Sequence, residues 1–280
     1  MCGLVGFLGF SREDSLPPWQ VLQAMTDAIV HRGPDSEGHW LAPAAQIALG
    51  HRRLSIVDLS PAGAQPMHSP SGRYVIAFNG EIYNHQDLRE ALGIAGVSDW
   101  RGHSDTETLI AGFDVWGIEE TVRRCIGMFA IAVWDRGQRR LTLVRDRMGE
   151  KPLYYGWIGN GGNRTFVFGS EIKALQAHPA FDAKIDRAAL ARYMERMVVQ
   201  GCDTIFSGLR KVPPGAIITL NEGAPEPLET LYWSINEAAE NGLNNRFTGS
   251  QDEAVAELES ILSDAVAQQM VADVPLGAFL

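Results

Sequence analysis

The chain has 280 residues, 45% of them hydrophobic, with a formal net charge of −10. That is apolar material for one large globular domain or one and a half, and the negative charge excludes the basic stripe from which nucleic-acid binding draws its affinity. Cys2, Cys125 and Cys202 cannot all pair and lack metal-ligand spacing. Free thiols in a reducing compartment are therefore expected, and no metal. With no basic n-region and no apolar run of about 18 residues, neither a signal peptide nor a membrane span is expected, and the location reads as cytoplasmic.

In chain order, Gly3–Leu8 reads as a short buried strand starting abruptly after Cys2, with alternation over 6–10. Further strands are predicted at 47–49, 74–78, 128–134, 141–145, 165–169 and 216–220, and helices at 19–30, 106–116 and 187–194, where apolar residues recur at three and four. Strands with helices outside them suggest an α+β protein of layered antiparallel sheets. Composition shifts at 221–249, rich in Asn, Glu, Gly and Pro, which reads as a surface connection. An amphipathic helix is predicted over 252–270, with Val255, Leu258, Ile261, Leu262, Ala265 and Val266 on its apolar face. The apolar run 271–280 reads as the entry to a buried strand, so the expected division is one domain over 2–220 and the start of a second over 221–280.

Four features bear on chemistry. Removal of Met1 would leave the Cys2 thiol beside its own α-amine, placing nucleophile and base on one residue; alone, Cys2 is better explained as a small hydrophobe entering a strand. Arg52 and Arg53 adjoin the apolar Leu54–Val57 stretch, so one guanidinium could enter a cleft and fork a carboxylate. Asn79-Gly80 is a hairpin signal, yet it also offers a side-chain amide beside an unhindered backbone N–H, the donor pair of an oxyanion hole. Ser104 and Glu107 form a capping box, and Asp105 between them could serve the helix N-terminus, a ligand's ammonium group, or both.

Together these describe a pocket for an α-amino acid with a side-chain amide, glutamine being the obvious candidate. The motifs Met1–Gly6, His31–Asp35, His51–Asp58, Asn79–Asn84, Ser104–Glu107, Arg145–Tyr155 and Ser170–Leu175 resemble, in order and spacing, those of the glutamine-hydrolysing asparagine synthetases.

The resemblance implies an N-terminal nucleophile hydrolase fold, a four-layer αββα sandwich, followed by the truncated start of an α/β ATP-pyrophosphatase-type domain. It implies Cys2 as the nucleophile forming a γ-glutamyl thioester, and Arg53 as the carboxylate-binding residue, with Leu54, Ser55, Ile56 and Val57 lining the pocket. Asn79 and Gly80 would form the oxyanion hole, and Glu81 and Asp105 would hold the α-amine. His31–Asp35 is expected to be a supporting turn, with His31 structural. No cofactor is implied for glutamine hydrolysis; ATP, magnesium and aspartate belong to the second domain of the family, and Phe279 and Leu280 resemble its nucleotide-side strand end. A homodimer is a further possibility the resemblance allows. Two departures stand out: the double arginine at 52 and 53, and Gly169 where alanine is expected. The alternatives are a glutaminase domain serving a sugar or polysaccharide acceptor, and a non-catalytic glutamine-binding module.

Overall fold

The computed structural model describes residues 2–10, 16–159, 164–275 and 277. Among them twelve strands form two six-stranded sheets. The first contains β1 (Gly3–Leu8), β2 (Ser36–Ala42), β3 (Ile47–Arg53), β8 (Tyr154–Ile158), β9 (Thr165–Gly169) and β10 (Leu209–Lys211), in the order β10-β8-β9-β1-β3-β2. The second contains β4 (Met67–His68), β5 (Tyr74–Ile82), β6 (Gly127–Asp135), β7 (Arg140–Arg145), β11 (Ala216–Asn221) and β12 (Leu228–Leu231), in the order β12-β11-β7-β6-β5-β4. Every ladder is antiparallel.

Period-two alternation sorts the side chains into layers. Leu4, Leu8, Ile47 and Leu49 from the first sheet meet Val75, Ala77, Ala130, Ala132, Trp134 and Leu143 from the second in the core between the sheets. The intervening Val5, Phe7 and Ala48 face outward against Val21, Leu22 and Met25 of α1 (Pro18–Asp27) and Ala174 and Leu175 of α5 (Ile172–Gln176). On the other side Ile76, Phe78, Ile131 and Val133 pack against Leu88 of α2 (His85–Ile94), Leu109, Ile110 and Phe113 of α3 (Asp105–Trp116), and Val122 of α4 (Ile118–Arg124). The result is helix, sheet, sheet, helix.

Several expectations shift. β1 ends at Leu8 because Gly9 turns left-handed at φ 85°. Asn79 and Gly80 are not a hairpin tip: they sit inside β5, opposite Ala130 and Phe129 of β6. Gly80 is glycine because a Cβ there would lie 2.2 Å from the Met128 carbonyl oxygen, not because a turn requires it. The region 221–249 is not simply a connection, since β12 pairs with β11 and continues the second sheet to Leu231, followed by α7 (Ile235–Asn244). The helix expected at 187–194 is α6 (Arg187–Arg196), and that expected at 252–270 is α8 (Gln251–Gln268). Neither α7 nor α8 has a buried residue, and the described part of 271–277 forms no strand. The expected strand over 271–280 lies partly outside the described residues. No helix among them is long and apolar enough to cross a membrane.

Trp134, 1% exposed, is among the largest side chains in the layer between the sheets. Trp134→Ala should lower the unfolding free energy by about 3–5 kcal/mol, read from the urea midpoint at unchanged slope. A loss under about 1 kcal/mol would place the main core elsewhere.

Candidate active site

Where the apolar layer between the sheets ends, the same alternation presents polar groups. Cys2 precedes β1 in the parity of Leu4 and Leu8; Arg53 continues Ile47 and Leu49; Asn79 and Glu81 continue Val75 and Ala77. All four line one pocket of about 560 Å3 of free space, partly open to solvent, together with Leu54, Ile56, Val57 and Asp105. Parity also settles the double arginine. Arg52 points the other way, donating to the Thr26 carbonyl and pairing with Asp27 and Glu37 beside α1.

Cys2 is held from both sides. Its Sγ accepts the Leu54 N–H at 3.3 Å and lies 3.5 Å from the Leu54 carbonyl oxygen. Its own carbonyl accepts Arg32 Nε at 2.9 Å, and Arg32 Nη1 is paired with Glu171 at 3.0 Å. Ser170 Oγ accepts the Leu4 N–H at 3.0 Å, pinning β1 one step further on. Thus the His31–Asp35 and Ser170–Leu175 motifs meet behind the thiol. His31, its side chain half exposed, bonds Glu171 at 2.9 Å. Asp35 accepts the Ser55 N–H at 2.8 Å, so Ser55 braces the 54–57 loop and does not line the pocket. Burial pushes the Cys2 thiol above its ordinary pKa, opposed by the Leu54 N–H.

Arg53 is 8% exposed and donates only to main-chain carbonyls, to Ser60 at 3.1 Å and to Asp58. Among the described residues it has no carboxylate partner, so a buried positive charge faces the pocket uncompensated. The guanidinium occupies the space a side chain at Gly63 would need: a Cβ there would lie 2.1 Å from Arg53 Nη2.

Asn79 is 1% exposed and its Nδ2 has no hydrogen-bond partner among the described residues. A buried amide NH2 left unsatisfied costs stability unless a ligand engages it. Beside it runs the edge of β5, beyond the reach of the two-residue β4. Phe129 of β6 directs its N–H and carbonyl to Asp146, at 3.2 and 2.8 Å, so its cross-strand neighbour Gly80 directs its own N–H out of that ladder. The flanking edge donors are capped: Phe78 N–H by Gln65 Oε1 at 2.6 Å and Ile82 N–H by Asp105 Oδ2 at 3.0 Å. Between them, the Gly80 N–H has no side-chain partner among the described residues.

Asp105 caps its own helix edge, Oδ1 accepting the Thr106 N–H at 2.8 Å. Burial raises its pKa to about 6, against those two N–H donors and with the Glu81 charge adding to the rise. Glu81 is raised as well, chiefly by burial, with Lys151 opposing. Two carboxylates in one pocket, both raised chiefly by burial, describe a place for a cation. Ser104 caps α3, but Glu107 turns to the Arg101 and Gly102 N–H groups instead of closing the box.

Lys151, Gln65, Gly63 and Thr106 also line the pocket and escaped the sequence reading. Lys151 had a signal in the 145–155 run: the Arg145 guanidinium takes the carbonyls of Lys151, Gly149 and Val212, while Asp146 accepts the N–H groups of Glu150 and Lys151. Gln65 had none, its role depending on where β5 ends up. Phe279 and Leu280 lie outside the described residues. Among the described residues no cluster of His, Cys, Asp or Glu could hold a metal ion.

Residues 1–233 match the family of glutamine amidotransferase domains. The chain is 35% identical over 283 residues to asparagine synthetase (glutamine-hydrolyzing) 3 of Bacillus subtilis strain 168, which covers all of this chain and 43% of that protein. It is 34% identical over 281 residues to asparagine synthetase (glutamine-hydrolyzing) 1 of the same organism, covering all of this chain and 42% of the relative. The chain thus spans less than half the length of these relatives. Among solved structures, glutamine phosphoribosylpyrophosphate amidotransferase from B. subtilis superposes with a TM-score of 0.60 at 19% identity, over 84% of this chain and 50% of that one. That likeness is one of fold, and the αββα sandwich is the N-terminal nucleophile hydrolase fold that the motifs imply. On its matched residues and its pocket alike, the chain belongs to the glutamine amidotransferase domain family.

Proposed function

We propose that the pocket hydrolyses the side-chain amide of glutamine, and that in a longer protein the ammonia passes to an ATP-activated aspartate. The observation that carries the first part is a half-buried thiol sharing one pocket with a buried amide NH2 that has no partner among the described residues, with an uncompensated cation and two carboxylates alongside. Arg53 takes the α-carboxylate in a charge-assisted pair. Asp105 and Glu81 take the α-ammonium. The side-chain amide is then directed to Cys2.

Because burial keeps the thiol protonated near neutral pH, it needs a base. Loss of Met1 would provide one in the Cys2 α-amine, which titrates near ~7.7–8.0. The thiol proton passes to that amine as Sγ bonds to the amide carbon. The oxyanion is received by Asn79 Nδ2 and the Gly80 N–H. On collapse the amine returns the proton to the departing nitrogen, releasing ammonia and leaving the thioester. Water, deprotonated by the same amine, releases glutamate and restores the thiol. None of these steps needs a cofactor. The aspartate reaction, its ATP and its magnesium rest on the likeness to the longer asparagine synthetases, and no step here is routed through them.

Cys2→Ala should abolish glutamate release from glutamine while the protein stays folded; persistent turnover rejects the mechanism. Asn79→Ala should lower kcat by about 10²–10³, whereas a change confined to KM would assign Asn79 to ground-state binding.

Asp105 binds an ammonium only when ionised, which in the free protein requires a pH above about 6. Its folded pKa lies above the ordinary value, so the unliganded protein loses stability as pH rises through that window, and a bound ammonium restores it. Calorimetric affinity of the Cys2→Ala protein for glutamine should therefore weaken as pH falls through about 6. Asp105→Asn should flatten that dependence; an unchanged profile would assign it to another group. Gly63→Ala should displace the Arg53 guanidinium, leaving a folded protein with KM for glutamine raised roughly tenfold, the equivalent of ~1.4 kcal/mol. An unaltered KM would remove Arg53 from the carboxylate site.

A further inference from the structure

Among the described residues after α8, Asp273 returns to the pocket. The Asp273 N–H donates to the Ile56 carbonyl at 2.9 Å, and its Oδ2 accepts the Asp58 N–H at 2.7 Å and His103 Nε2 at 2.6 Å. Together these partners belong to two pocket walls, Ile56 and Asp58 to one and His103 to the other. Ile56 and Val57 line the pocket directly, and the Asp58 carbonyl is one of the groups that seat Arg53. His103 immediately precedes Ser104 and Asp105, which line the opposite wall.

The two walls also meet beneath Asp273. The Asp58 carboxylate accepts the His103 N–H at 2.9 Å as well as Ser60 N–H and Oγ, at 3.1 and 2.5 Å. Their approach is close enough to require glycine at 102, where a Cβ would lie 2.1 Å from Asp58 Oδ2. One carboxylate from outside the sandwich therefore spans the wall that seats the carboxylate-binding Arg53 and the wall that carries the ammonium-binding Asp105.

We propose that Asp273 is a positioning residue that sets the spacing between Arg53 and Asp105, so that glutamine affinity depends on how residues 271–273 are held. Asp273 does not touch the reacting atoms. It acts on the distance between the two charges that grip the α-carboxylate and the α-ammonium, and rests on the reading of the pocket as a glutamine site. Since a single oxygen accepts both side-chain bonds, a neutral amide in the same place preserves them, whereas alanine keeps only the main-chain bond to Ile56.

The test compares Asp273→Ala and Asp273→Asn in the full chain, with glutamine affinity measured calorimetrically in the Cys2→Ala background and glutamate release measured with Cys2 intact. For Asp273→Ala we expect glutamine to bind roughly three- to tenfold more weakly, the scale of one partly exposed charged contact. KM should rise in step and kcat at saturation should stay within about twofold. Asp273→Asn should bind close to the parent. His103→Ala should weaken binding in the same direction, and its combination with Asp273→Ala should add less than the sum, because both remove the same tie. If Asp273→Ala does not fold, Asp273→Asn and His103→Ala decide. An unchanged affinity in Asp273→Ala, a fall in kcat alone, full additivity with His103→Ala, or a His103→Ala protein that binds like the parent overturns the inference while leaving the glutamine site intact. A Cys2→Ala parent that binds no glutamine sinks both.

Discussion

Everything in this structure depends on two antiparallel sheets facing one another in matched parity. Because side chains alternate strictly, the residues that fill the layer between the sheets also decide which side chains emerge where that layer ends. Leu4 and Leu8 commit Cys2 to the interior; Ile47 and Leu49 commit Arg53; Val75 and Ala77 commit Asn79 and Glu81. A one-residue slip of any of these strands would send its functional side chain into a helix layer, where Arg52 already is. Catalytic geometry and hydrophobic core are thus specified by the same pattern.

The pocket is held away from its own electrostatic optimum. Among the described residues Arg53 is buried with only carbonyls for company and Asn79 Nδ2 has no partner, while burial raises the proton affinity of both Asp105 and Glu81. Each arrangement costs folding free energy when the pocket is empty. In the proposed function each is relieved by one part of glutamine: carboxylate, carbonyl oxygen and ammonium. A merely structural cluster would have paired Arg53 with Asp105 or Glu81, both of which line the same pocket.

Support for the thiol comes from residues with no chemical part in the reaction. The chain Glu171, Arg32, Cys2 carbonyl and the Ser170 contact to Leu4 fix the start of β1, which would otherwise be free to fray. On the far side, Asp35 and Ser55 hold the 54–57 loop, and Asp273 ties that loop to His103. The pocket floor is thereby rigid sheet, while its rim is set by loops that answer to distant parts of the chain.

The sequence by itself determined the layered antiparallel class and most of the strands, and it singled out Cys2, Arg53, Asn79, Glu81 and Asp105, which line one pocket, because hydrophobic period and side-chain functional groups are local properties. It misread Asn79-Gly80 as a turn, since the same dipeptide suits a hairpin and a strand crowded by Met128, and only the partner strand distinguishes them. It also passed over β12, whose four exposed residues, Leu-Glu-Thr-Leu, carry no period-two signal of their own. What only the tertiary structure decided was which arginine enters the pocket, why the Gly80 N–H leaves its ladder, and that Gln65, Lys151 and Asp273 stand around the site. Each of these depends on contacts between segments far apart in the chain, which no local pattern encodes.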